Sequence, residues 1–237
     1  MTTTPAIPRP RAHRAPTDDW LPRAVSVLAV TARPGQESAD LGGLLYAFRR
    51  TGASLSLLCL TRGEAAGQNS GTGRLEAIRP WEVQLAGSVL GIGGIGVANY
   101  RDGELHEYPR VELAERIGRA IVDRDADLLL VVAPEAGDRA DAAVARAAQA
   151  AAAAAGVPAV AHTRPGVRGA WTLDLGVGTE TARAIQKSAA SAHASQSEAL
   201  AALIGRLDLL GSGETVRWLL LPEQVPAQRV YQALATA

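Results

Sequence analysis

From Ala24 onward, short apolar runs rich in leucine and β-branched residues alternate with longer segments in which apolar residues recur every three to four positions. A strand buried on both faces reads as a short continuous apolar run, whereas a period near 3.6 marks a helix with one face in a core. In chain order, the pattern predicts a strand over 25–32, a helix over 38–50 ending near Gly52, and a strand over 54–61. A helix over 75–90 has Leu85, Val89 and Leu90 on one side, and a strand over 94–100 follows. Next come a helix over 110–124 with apolar Val111, Ile117 and Ile121, and a strand over 127–133. An alanine-rich helix over 139–155 and a strand near 158–162 complete the regular part. Alanine has the best helix propensity, so the alanine tract predicts a packed helix. Beyond it the alternation weakens to a short strand over 171–175, helices across 179–210 and a last strand over 213–221. Strands separated by helices in this way predict an α/β fold, a Rossmann-like parallel sheet with helices on both faces.

Composition narrows the class. The chain has 237 residues, 24 basic and 24 acidic side chains, and one cysteine. The length is enough to bury a sizeable core without disulfides or structural metal. Balanced charge argues against a nucleic-acid partner, which leaves a basic excess on one face or tail. A lone cysteine excludes a disulfide framework and points to the cytoplasm; Cys59, inside the run Leu55 to Leu60, is expected to be a buried small hydrophobe. Residues 1–22 hold five of the thirteen prolines and no apolar run, so they are expected to be a disordered tail before one domain spanning 23–237. Nothing there resembles a secretory signal, and no later segment is apolar for long enough to span a membrane.

In a parallel sheet, ligands bind at the carboxyl ends of the strands. The loops expected there are Arg33 to Glu37, Thr61 to Gly67, Tyr100 to Gly103 and Pro134 to Asp141. They contain neither the dinucleotide fingerprint nor a phosphate-binding P-loop. The glycine-rich piece 91–97 lies before or inside the third strand and is expected to be a tight turn. His106 and His162, in a loop and at a strand end, have no paired ligand spacing.

These loops nonetheless carry an ordered set of short blocks. The first is Ala32-Arg33-Pro34-Gly35-Gln36-Glu37 followed by Gly42-Gly43, and the second is Leu60-Thr61-Arg62-Gly63-Glu64. Arg79, Glu82 and Leu90-Gly91 follow, then Tyr100-Arg101-Asp102-Gly103-Glu104-Leu105. Lys187, Ala190, His193, Ser195 and Gln196 form the next block, and Gly211 or Gly213 with Glu214 closes the set. With these blocks in this order, the chain resembles the LmbE-like (PIG-L) de-N-acetylase family over about 24–221. The resemblance implies zinc-dependent hydrolysis of an N-acetyl amide on a glucosamine-type conjugate. It also implies that the zinc-ligand positions are Arg33, Gln36 and Asp141, and that the general-base position is Gly35.

The residue types at these positions do not suit the implied reaction. A catalytic zinc needs three imidazole or carboxylate ligands plus an open site for water, and a nearby carboxylate to take the water's proton. Arginine has no acceptor atom and stays charged, glutamine is a weak zinc ligand, and glycine offers no base. Only Asp141 suits a metal, so no cofactor is expected. Asp141 would then be a buried carboxylate in need of a cation, and an ion pair with Arg33 is expected.

The remaining candidates have ordinary alternatives. Glu37 suits either a catalytic carboxylate or a charge at a helix N-terminus. Asp138 suits a helix cap, and His193 a structural hydrogen bond. Arg62, Arg79 and Asp102 suit ligand contacts or plain surface solvation. The leading expectation is a zinc-free, catalytically degenerate family member that binds a sugar-like or acyl-amide ligand or a partner. Its rivals are an active amide hydrolase with a site rebuilt from Glu37, Asp138, Asp141 and His193, and a purely structural subunit.

Overall fold

The computed structural model describes residues 21–65, 75–133 and 137–224; the expected tail falls almost wholly outside them. Leu21 packs against the core. The elements are β1 (Ser26–Thr31), α1 (Gln36–Ala39), α2 (Gly42–Arg50), β2 (Ser54–Thr61), α3 (Leu75–Leu90), β3 (Gly94–Tyr100) and α4 (Arg110–Asp123). After them come β4 (Leu128–Val132), α5 (Arg139–Ala155), β5 (Ala159–His162), β6 (Ala170–Asp174), α6 (Thr179–Ser191), α7 (Ser197–Leu209) and β7 (Gly213–Leu220).

The strands form one sheet in the order β3-β2-β1-β4-β5-β7-β6. Pairing is parallel from β3 through β5. The expected α/β sheet with helices on both faces is present, and its last two strands make it mixed, because β7 runs antiparallel to both β5 and β6. The later part of β7 pairs with β5 and the earlier part with β6, and the two pairings overlap, so Val216 lies level with both His162 and Trp171. That arrangement depends on contacts distant in sequence and leaves no trace in local periodicity. The predicted 38–50 helix is also divided, into α1 and α2, with Asp40 and Leu41 between them. The glycine-rich piece splits into a turn at Gly91, where φ is +79°, and the first residues of β3.

Two apolar layers cover the sheet. Leu28, Val30, Leu58, Leu129 and Val131 pack under α4 and α5, while Val27, Ala29, Leu57, Leu128 and Val160 pack under α2, α3 and α6. Alternate residues of each strand point to opposite faces, and both faces are buried, hence the unbroken apolar runs. Cys59 is fully buried, as expected, and burial pushes its thiol up to about 12. Helix α5 is capped at both ends: the Asp138 side chain accepts from the N–H groups of Ala140 and Asp141, and Gly156 closes the last turn with φ +68°. Cap and alanine tract together fix the start of α5 beside the β1 loop.

The Gly42-Gly43 pair has a packing explanation. A Cβ at Gly42 would lie 2.7 Å from Gln186 Cγ, and one at Gly43 would lie 2.8 Å from Arg183 Nη1 and press on the Glu214 carboxylate. The start of α2 must therefore be bare for α6 and β7 to approach. Gly43→Ala is expected to force the buried Arg183–Glu214 pair aside and to lower stability by about 2–3 kcal/mol. Urea unfolding followed by circular dichroism checks this; a midpoint equal to wild type would show that the pair yields freely.

Candidate functional site

The loop after β1 turns sharply through Gly35, whose φ of +99° is open to glycine and strained for other residues. This turn directs Gln36 back under the loop. Its Oε1 accepts from the N–H of Ala32 at 2.9 Å and of Arg33 at 3.3 Å, which leaves the amide nitrogen to donate to Asp141 Oδ1 at 2.8 Å. Arg33 reaches across to the start of α5, where its Nη2 bonds Asp138 and lies 3.7 Å from Asp141 Oδ2. The expected Arg33–Asp141 pairing is therefore present, but as the longer of two contacts. Asp138 is both helix cap and the primary partner of Arg33, and Asp141 is held first by Gln36.

Electrostatics follow this division of partners. Burial pushes the Asp141 carboxyl above its ordinary range, against the Gln36 hydrogen bond and the Arg33 charge. For Asp138, burial is outweighed by the hydrogen bond and charge of Arg33, which hold its carboxyl below the ordinary range. Burial likewise opposes the charge on Arg33, yet the Asp138 hydrogen bond and the charges of Asp141, Asp138 and Asp102 keep its pKa raised.

Arg33, Gln36 and Asp141 stand where the resemblance implies zinc, and the residues present do not fit it. The Asp141 oxygens face N–H donors from Gln36 and Arg33, and a guanidinium lies in the cluster a dication would need. At the base position, Gly35 has a backbone in which aspartate would be strained. Among the described residues, no three histidine, cysteine, aspartate or glutamate side chains converge as a metal site.

Glu37 and His193 are brought together, though away from solvent. Glu37 Oε1 lies 2.6 Å from His193 Nε2 and accepts from Ser38 Oγ at 3.1 Å, while Oε2 accepts from the Gly35 N–H at 2.9 Å. Their exposures are 0 % and 4 %, so the carboxylate is enclosed and fully engaged. This pair braces the β1 loop against the segment after α6.

Arg79, which suited either a ligand contact or surface solvation, is buried instead of solvated. It is 1 % exposed and donates from Nη1 to the Gly63 carbonyl under the β2 loop. Glu82 on the same helix accepts from Ser195 N at 2.6 Å and Ser195 Oγ at 2.7 Å. Arg62 is half-buried. Asp102, also half-buried, lies 3.5 Å from Thr61 Oγ1, and its N–H donates to Glu64 Oε1 at 2.9 Å. Several blocks of the resemblance are thus braces that hold the strand-end loops.

Sequence reasoning missed a second cluster at the same end of the sheet. His162, the last residue of β5, has Nε2 3.1 Å from Glu214 Oε2, and the other Glu214 oxygen bonds Arg183 Nη1. Asp40, at the end of α1, lies 3.4 Å from Arg206, and burial raises its carboxyl despite the charges of His162, Arg206 and Arg33. The usable signals were the strand-end position of His162 and the closing block that contains Glu214.

The depressed Asp138 carboxyl contributes stability that is present above its unfolded value and lost as pH falls through the lower folded value. Asp138→Asn keeps a capping oxygen and removes the charge. It is expected to cost about 1 kcal/mol at pH 7, a modest figure because both partners are partly exposed. That difference should shrink below about pH 4, where the unfolded carboxyl takes its proton. Urea midpoints of both proteins across pH check this; a difference independent of pH would assign the loss to the cap alone.

Comparison with known proteins bears on what this arrangement descends from. The sequence profile of PIG-L, GlcNAc-PI de-N-acetylase, matches residues 28–153, more than half of the chain. No curated protein matches significantly. Among solved structures, the fold is similar to the N,N'-diacetylchitobiose deacetylase from Pyrococcus horikoshii. Identity is 17 %, coverage 83 % of this chain and 84 % of that one, and TM-score 0.64. A deacetylase of the teicoplanin biosynthesis pathway gives 17 % identity, 81 % and 96 % coverage, and TM-score 0.66. The 4-carboxy-2-hydroxymuconate hydratase from Pseudomonas putida KT2440 gives 15 % identity, 83 % and 96 % coverage, and TM-score 0.65. One fold thus serves amide hydrolysis and hydration alike, and at these identities the likeness is one of fold. The matched profile, which spans β1 to the alanine-rich helix and so includes Arg33, Gln36 and Asp141, decides the family: this chain belongs to the PIG-L de-N-acetylases.

Proposed function

We propose that this protein is a zinc-free, catalytically degenerate PIG-L family member that retains the strand-end cleft and binds a sugar-like or acyl-amide ligand there. The observation that carries this reading is the closure of Gln36 and Arg33 over Asp141, at 2.8 and 3.7 Å. A carboxylate already satisfied by an amide and a guanidinium gains little from a metal, and the cation would repel one. Hydrolysis in the manner of the family also requires a carboxylate base at position 35, where this chain has glycine.

The ligand class is supported from two sides. Solved relatives of this fold include deacetylases described in complex with an inhibitor and with teicoplanin. In this chain, Arg33 is one-third exposed, and half-buried Arg62 and Asp102 lie on neighbouring loops, so polar groups remain accessible at the strand ends. Balanced charge supports a small-molecule ligand over a nucleic acid. Among the described residues no helix is long and apolar enough to cross a membrane, and the free, buried cysteine supports residence in the cytoplasm.

Tag-free protein incubated with excess zinc and desalted is expected to hold far less than one zinc per chain by mass spectrometry. It should release no acetate from N-acetylglucosamine conjugates with zinc present. Methyl N-acetyl-glucosaminide is expected to shift the backbone amide signals of Arg33 and Asp102 in NMR titration. Near-stoichiometric zinc, or acetate release above the uncatalysed rate, would overturn the degenerate reading.

A further inference from the structure

The cluster around His162 is not used by the reading above, and its geometry is specific. His162 ends β5 level with Val132 at the end of β4, which sets its ring at the carboxyl edge of the sheet. Behind the ring stands a chain of buried charges. Glu214 takes His162 Nε2 at 3.1 Å on one oxygen and Arg183 on the other. Arg183 is in turn held by Gln186 Oε1 at 2.7 Å and by the Gly211 carbonyl at 3.0 Å. The Glu214 and Arg183 side chains are 4 % and 7 % exposed, whereas that of His162 is 24 % exposed. Two buried, mutually satisfied groups therefore aim one ring that reaches solvent.

The acceptor decides the tautomer. Burial opposes the charge on Glu214, but the hydrogen bond from His162 and the charges of His162 and Arg183 keep its carboxyl below the ordinary range, so it is ionised at neutral pH. An ionised carboxylate only accepts, so the neutral ring must carry its proton on Nε2. Its lone pair then lies on Nδ1. Among the strand-end groups Arg33 supplies donors that suit acceptor groups, while Nδ1 suits a donor. Asp40 links the two regions, because both the His162 ring and the Arg33 guanidinium act on its carboxyl.

We propose that His162, held by Glu214 and Arg183, is a ligand-contacting residue of this cleft whose Nδ1 accepts a hydrogen bond from a hydroxyl of a sugar-like ligand. This rests on the ligand-binding reading above and adds the group that recognises hydroxyls. The charged groups around the ring are Glu214 from β7, Arg183 from α6, and Asp40 after α1, with Arg206 from α7 and Arg33 from the β1 loop acting on Asp40.

Long-range proton–nitrogen NMR of the imidazoles in the full chain tests the assignment, with His162→Gln identifying the signals. The expected result is an Nε2–H tautomer in the free protein and a shift of the His162 Nδ1 resonance on adding methyl N-acetyl-glucosaminide. Binding should be about five- to tenfold weaker in His162→Gln. Glu214→Gln is expected to release the tautomer preference; if that variant fails to fold, the wild-type tautomer still decides. An Nδ1–H tautomer would overturn the inference. So would a sugar that shifts Arg33 and Asp102 signals while leaving His162 nitrogens unmoved, a result that leaves the ligand reading standing. No shift at any residue under saturating sugar would overturn the ligand reading and this inference with it.

Discussion

A carboxylate buried at the carboxyl edge of a sheet has to be matched, and the match chosen for Asp141 organises the surrounding loops. Gln36 and Arg33 face it from the β1 loop, Asp138 takes the remaining charge of Arg33, and Asp138 also caps α5. Removing Gln36 would leave the buried Asp141 Oδ1 without its donor. The sharp turn at Gly35 and the start of α5 are held in place by the same few bonds. The sites that the resemblance assigns to metal chemistry are here occupied by a closed set of organic partners.

Two further buried carboxylates obey the same constraint. Glu37 is matched by His193, Ser38 and the Gly35 N–H, and Glu214 by Arg183 and His162. They differ in where the histidine sits. His193 is sealed under the β1 loop and serves as a brace, while His162 stands at the edge of the sheet with part of its ring in solvent. The same pair of residue types therefore supports structure in one place and presents a polar group in the other. Burial, rather than chemistry, separates the two roles.

Much of the fold was legible from periodicity because the parallel strands are buried on both faces. β2, α3, β3 and α5 fall where the apolar pattern sets them. Legibility failed where the deciding contacts are long-range. The break of the first helix at Asp40 follows from α1 belonging to the β1 loop and α2 to the core, and nothing in local spacing reports it. The antiparallel course of β7 follows from its double pairing with β5 and β6. Arg79 reads as a surface residue in the sequence because its partner, the Gly63 carbonyl, is a backbone group and carries no sequence signal.

For the candidate site the division is equally physical. The sequence alone determined the residue types at the strand ends: an arginine, a glycine and a glutamine cannot supply imidazole or carboxylate chemistry in any geometry. It also determined the alternation that puts those residues at one end of a sheet. Only the tertiary structure decided the pairing. It gave Arg33 to Asp138 before Asp141, enclosed Glu37 with His193, and brought Glu214 from the last strand to His162 at the end of β5. Composition and spacing state which partners a charged group can accept. Which partner it meets depends on how distant segments pack, and that choice is made by the burial of the whole chain.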